Sequence, residues 1–130
     1  MRDRRTFLGL ATASLLPIRV GAQTAEPQPP TGRELARYSL TGPLDGYDAT
    51  LNEGTFFDAS SPAHTHPTFI LGYVLEGQLR FAINHEPERI VPAGRTFFEP
   101  VGAVHTTHGS ATPNGRVRFL TFRVVPRAAR

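Results

Sequence analysis

The sequence predicts an all-β fold, one domain of antiparallel strands closed or sandwiched on itself. Three observations lead there. Eight short runs rich in β-branched and aromatic residues follow one another, each bounded by Gly, Pro, Asn or Asp. No stretch of the domain keeps a clean helical period with caps. At 130 residues the chain can bury one real core but not two.

Taken in order, the chain opens with "MRDRRTFLGLATASLLPIRVGA", residues 1–22: a basic start, a short apolar stretch from Phe7 to Leu16, a break at Pro17 and small residues at its end. These are the parts of an export signal, and the apolar stretch is too short for a spanning helix, which needs about 20 residues. Asp3, Arg4, Arg5, Thr6, Phe7 and Leu8 resemble the twin-arginine form of such a signal. A lipoprotein leader would need a cysteine, and there is none. The sequence therefore predicts a periplasmic or secreted protein with no membrane attachment after signal removal. Residues 23–34, with "EPQPP" at their centre, read as an extended Pro-rich linker. The domain is expected over 35–126, with 127–130 as a tail.

Within the domain the β-type runs are "RYSLTG", "YDATLNEGTFF", "TFILGYVLEG", "QLRFAIN", "ERIVPAG", "TFFEPVG", "VHTTH" and "RVRFLTFRVV". In the last, Val117, Phe119, Thr121, Arg123 and Val125 share one face and Arg118, Leu120, Phe122 and Val124 the other. An arginine on each face predicts a strand at a sheet edge or a dimer seam.

Composition excludes several kinds of chemistry. Without cysteine there is no disulfide framework and no thiolate metal site, and without lysine there is no Schiff base. The net charge of +3 comes from the leader; from Gln23 onward ten arginines meet ten acids. Nothing in the domain suggests binding to nucleic acid or to an anionic membrane.

The chemistry-bearing stretch is "HTHPTFILGYVLEG", His64 to Gly77. Side chains at i and i+2 of a strand point to one side, so His64 and His66 can present both imidazoles to one point. Pro67 biases His66 toward extended geometry, and Pro62 does the same for Ser61. Paired imidazoles suit Zn, Cu, Fe, Ni or Mn, and here the remaining donors must be His, Asp, Glu or water. Surface histidines beside prolines are the competing explanation for the pair.

A second segment, "AGRTFFEPVGAVH", places Gly94 before a Phe-rich strand, then Pro100, Gly102 and His105. Together the two segments resemble the cupin superfamily, small barrels of antiparallel strands with a metal inside. Its motifs run G-x5-H-x-H-x(3,4)-E-x6-G and G-x5-P-x-G-x2-H-x3-N. His64, His66 and Gly77 match the first, and Gly94, Pro100, Gly102 and His105 the second, over a resemblance from Gly54 to Gly109. It implies a jelly-roll β-barrel, a divalent transition metal on His64, His66 and His105, and a homodimer. The outward residues Leu71, Tyr73 and Leu75 would in any case need a cover, from the second sheet or from a partner chain.

The departures are informative. Asp58 stands at the first glycine, Gly109 at the final asparagine, and Ile70 at the glutamate. By strand parity Thr68, Ile70 and Gly72 line a pocket beside the metal with Phe97, apolar and, at Gly72, roomy. Glu76 sits at a hairpin turn and reads as solvated. Glu99 is the candidate to replace the missing acid, as a metal donor, a neighbour of one, or an acid/base; a surface or Arg-paired glutamate is the alternative. Parity sets His108 opposite His105, hence exposed or lining the barrel mouth. His85, in "NHEPE", reads as a loop residue.

Two functions remain open. One is a small metal-dependent enzyme, of dioxygenase or isomerase type, acting on a small organic molecule in the periplasm. The other is a non-catalytic module that binds or senses a small ligand.

Overall fold

The computed structural model describes residues 31–57, 62–112 and 115–128. The predicted leader, residues 23–30 of the linker and Asp58 lie outside these. The described strands are β1 (Thr31–Ser39), β2 (Tyr47–Phe56), β3 (His64–Thr65), β4 (Ile70–Glu76), β5 (Gln78–Ile83), β6 (Arg89–Pro92), β7 (Thr96–Glu99), β8 (Val104–Ser110) and β9 (Val117–Pro126). A single 3-10 turn, Gly42–Leu44, separates β1 from β2. All the pairings are antiparallel, in a five-stranded sheet ordered β1-β2-β9-β4-β7 and a four-stranded sheet ordered β3-β8-β5-β6. The all-β class expected from the sequence is what forms. Each predicted run contributes a strand, and β3 is added by the two-residue piece that carries His64.

β4 shows the alternation that builds the core. Ile70, Gly72 and Val74 point inward, while Leu71, Tyr73 and Leu75 point out. Inward residues of both sheets meet in one apolar cluster that includes Val74, Leu79, Phe81, Val91, Phe97, Val117 and Phe119. The β4–β5 turn passes through Gly77 at φ 77°, where a side chain would also collide with the Arg116 carbonyl.

Three expectations are corrected. First, β1 begins at Thr31, so Thr31–Glu34 are paired with Thr55–Asn52 of β2 and do not belong to the linker. β1 is an edge strand exposed along nearly its whole length, so it carries no buried alternation for a sequence reader to see. It starts immediately after Pro29 and Pro30, which have no N–H to donate.

Second, of the two settings expected for β9 the sheet edge is overturned: it is the middle strand of its sheet, paired with β2 on one side and β4 on the other. Its arginines have separate reasons. Arg118 faces out between the Glu53 and Glu76 carboxylates, at 2.6 and 3.3 Å, so Glu76 is an ion-paired surface residue. Arg123 faces inward.

Third, Gly72 leaves no room. The Phe97 ring already fills the position its side chain would take, with Cζ 2.0 Å from an added Cβ. Gly72 and Phe97 are cross-strand partners, and the missing side chain on β4 is what lets the ring on β7 enter the core.

Gly72→Ala is expected to lower the unfolding free energy by about 1–3 kcal/mol through overpacking. Gly32→Ala should change it by less than about 0.5 kcal/mol, because an added Cβ there meets only the Glu53 carbonyl at 3.7 Å. Chemical denaturation midpoints of the two variants check the contrast.

Candidate metal centre

β3 and β8 bring the first imidazoles together, because His64 is the direct cross-strand partner of His105. The His64 and His66 Nε2 atoms approach to 3.1 Å. One ligating atom from each of His64, His66 and His105 falls within 4.8 Å of the others. Two nitrogens about 3 Å apart are what a shared ion at ~2.0–2.1 Å from each requires.

The tautomer of His64 suits the task. Its Nδ1 lies 2.8 Å from the Pro62 carbonyl, an acceptor only, so the proton sits on Nδ1 and the Nε2 lone pair faces the cluster. Burial holds His66 below its ordinary pKa, against the opposing pull of Glu99, which favours the neutral, ligating form.

Glu99 closes the far side. Its Oε1 lies 3.1 Å from His105 Nδ1 and its Oε2 3.8 Å from His66 Nε2. The carboxylate is 2% exposed, and Oε2 has no hydrogen-bond partner, nor has either ring nitrogen of His105. The 3.1 Å approach to His105 is close but off the line of a hydrogen bond. A buried carboxylate left this way is costly unless a cation completes its surroundings. Three converging imidazoles and one orphaned carboxylate are a donor set that fits a divalent transition metal.

The position of Glu99 is fixed by register: it is the cross-strand partner of Ile70, the residue standing where the motif has its glutamate. The acid has moved one strand over. It is neither at the surface nor paired with an arginine.

His108 is where its parity does not put it. Pairing with β5 jumps from Ala82–Thr107 to Ile83–His105, leaving Thr106 as an extra residue in a bulge. The bulge returns His108 to the same side as His105, and it is buried rather than exposed. The two rings stack with centroids 4.2 Å apart, and Phe56 packs on His108 at 4.1 Å. Desolvation holds His108 well below its ordinary pKa, so it is a neutral member of the wall.

A cavity of about 430 Å³ opens over the cluster. Of the residues predicted to line it, Ile70 and His108 do; Thr68, Gly72 and Phe97 do not. Thr68 instead donates its hydroxyl to the Val124 carbonyl at 2.7 Å. Its wall includes residues the sequence did not assign to a pocket: Asn52, Phe56, Phe119, Thr121 and Arg123, with Thr31–Glu34 of β1 at the rim. Arg123 could have been found, since strand parity sets it on the same face as Val117 and Phe119. His85 is exposed, as its loop setting suggests.

Residues 58–122 match the family model described as Cupin domain. No match is found among curated proteins. Among solved structures, a cupin superfamily protein from Desulfitobacterium hafniense DCB-2 is 15% identical, with 78% of this chain and 82% of that one covered at a TM-score of 0.58. A RmlC-like cupin family protein with a double-stranded β-helix fold, from Methanocaldococcus jannaschii, is 9% identical over 91% and 94% of the two chains, at 0.59. The EutQ protein of Clostridium difficile is 16% identical over 75% and 68%, at 0.52. At these identities the structures speak for the fold, while the sequence match reaches both histidine segments. The chain belongs to the cupin domain family.

Proposed function

We propose that this cupin holds a divalent transition metal on His64, His66 and His105, with Glu99 as the fourth donor, and acts as an oxygenase-type enzyme on a small organic molecule. The observation that carries the reading is Glu99: a carboxylate 2% exposed, one oxygen unpartnered, aimed at imidazoles that converge without it. Bound there, a metal such as Fe, Mn, Ni, Cu or Zn would supply Lewis acidity and, for the redox-active ions, reaction with dioxygen. The chain's own residues do the rest. Ile70, Phe56 and Phe119 give the cavity apolar walls that displace water from a bound molecule. The Pro62 carbonyl keeps the proton of His64 away from the cluster. His108, stacked on His105, holds that ring in place.

The same reading places the mature protein outside the cytoplasm, exported by the leader over 1–22, and makes it a homodimer. The outer face of β4 supports the dimer. Leu71 lies opposite both Phe98 of β7 and Phe122 of β9, forming an exposed apolar row across three strands, with the Phe69 ring about 6 Å from both phenylalanine rings. A two-fold axis would lay this self-complementary row on its copy.

Metal analysis of the mature protein tests the centre. One divalent transition ion per chain is expected, lost in His64→Ala and His105→Ala and kept in His108→Ala. Glu99→Gln should weaken retention about 10–100-fold in competition with a chelating dye. A mature protein that takes up no stoichiometric Fe, Mn, Ni, Cu or Zn overturns the reading. Retention of metal without turnover of any small molecule would leave a binding or sensing module.

Light scattering at micromolar concentration should give twice the chain mass, falling to the monomer in Leu71→Glu. A monomeric wild type rejects the dimer.

A further inference from the structure

We infer that Arg123 is a recognition residue for the carboxylate of a small organic acid bound in the cavity. The inference rests on the small-molecule reading of the cavity and is independent of its metal. Arg123 lines the cavity, its Nε is buried without a hydrogen-bond partner, and among the described residues no carboxylate lies within ion-pairing distance of it. The other arginine on the cavity wall, Arg33, is already bound to Glu53 at 2.8 Å.

The sheet explains the missing partner. Ile70 pairs with Glu99 on one side, and Leu71 pairs with Phe122 on the other. Continuing the second register by one residue sets Ile70 opposite Arg123, whose own partner on β2 is Thr50. One row of the sheet thus reads Glu99, Ile70, Arg123, Thr50. A glutamate at position 70 would stand beside the guanidinium and neutralise it. Isoleucine leaves the charge for something else to meet, while the acid serves the imidazoles from the opposite neighbour. Glu99 and Arg123 are two strand spacings apart, roughly 10 Å along the sheet. That is the spacing of their backbones; both side chains face the one cavity, where a small molecule can reach both ends.

The surroundings select the class of anion. Asn52 and Thr121 are cross-strand partners on the same wall and add neutral hydrogen-bonding groups. Phe56, Phe119 and Ile70 offer an apolar body site. Of the acids lining the cavity, Glu34 and Glu53 are paired with arginines and Glu99 is not, so a second negative charge would meet Glu99, while a single planar carboxylate fits a single planar guanidinium.

The test is calorimetric titration of the protein, zinc-loaded and metal-free, with benzoate and pyruvate against benzamide and pyruvamide. Both acids should bind roughly tenfold or more tightly than their amides. Arg123→Gln should remove that margin in both metal states without changing amide binding or zinc content, and Arg123→Lys should restore part of it. Ile70→Glu, which supplies the internal partner, should abolish acid binding while zinc is kept. Equal affinity for acids and amides, or none for any acid at millimolar concentration, overturns the assignment. So does acid binding that Arg123→Gln leaves unchanged, which would place the carboxylate on the zinc alone. Inorganic phosphate binding as tightly as the acids would refute the carboxylate class. Failure of the protein to bind zinc or any of Fe, Mn, Ni and Cu, with acid binding still dependent on Arg123, would remove the metal reading and leave this one standing.

Discussion

The acid and the arginine of this site depend on strand register in the five-stranded sheet. Because side chains alternate with a period of two, a slip of one residue between β7 and β4 would send Glu99 to the outer surface and bring Phe98 inside. The same slip between β4 and β9 would turn Arg123 away from the cavity and put Phe122 in its place. The register is held by shape as well as by hydrogen bonds. Phe97 enters the core only where Gly72 faces it, and that one fit aligns the neighbouring pair, Glu99 with Ile70. A packing contact between a ring and an absent side chain thus positions the only described carboxylate that faces the imidazoles.

The loss of the glutamate at position 70 reads differently once the sheet is known. Along the chain it is a deletion of charge. Across the sheet it is a displacement: the acid faces the imidazoles from the neighbouring strand, and the vacated position sets an apolar residue between that acid and an arginine. The pKa directions agree with such a division. Burial disfavours the charged form of Arg123 and of His66, and in each case Glu99 is the group that opposes it. A ligand bearing its own negative charge would join that balance at the arginine end.

How far the sequence foretold this varies with what each signal encodes. The pairing of His64 with His66 follows from local parity, and the turn residues Gly77, Gly94 and Gly102 carry the positive φ angles that their place between strands demands. The strand content was visible because most strands bury one face. The first residues of β1, Thr31–Glu34, were not, since an exposed edge has no alternation to read. His108 was misplaced for a similar reason: parity counts residues, and Thr106 is a residue the ladder does not count. Gly72 seemed an opening because a missing side chain was judged without the ring that fills it. The role of Glu99 needed a long-range register that no local pattern contains, although its place in an apolar strand marked it as unusual.

The cavity rim has one further consequence. Thr31–Glu34 stand at the mouth, and they belong to a strand paired on one side only. Edge strands are the segments that fray at least cost, since they give up a single ladder. One wall of the chamber is therefore a backbone held by a single ladder, at the rim where a ligand would enter. Behind that rim His105 stands on β8, a strand laddered on both sides, so the deepest imidazole is held more firmly than the mouth above it.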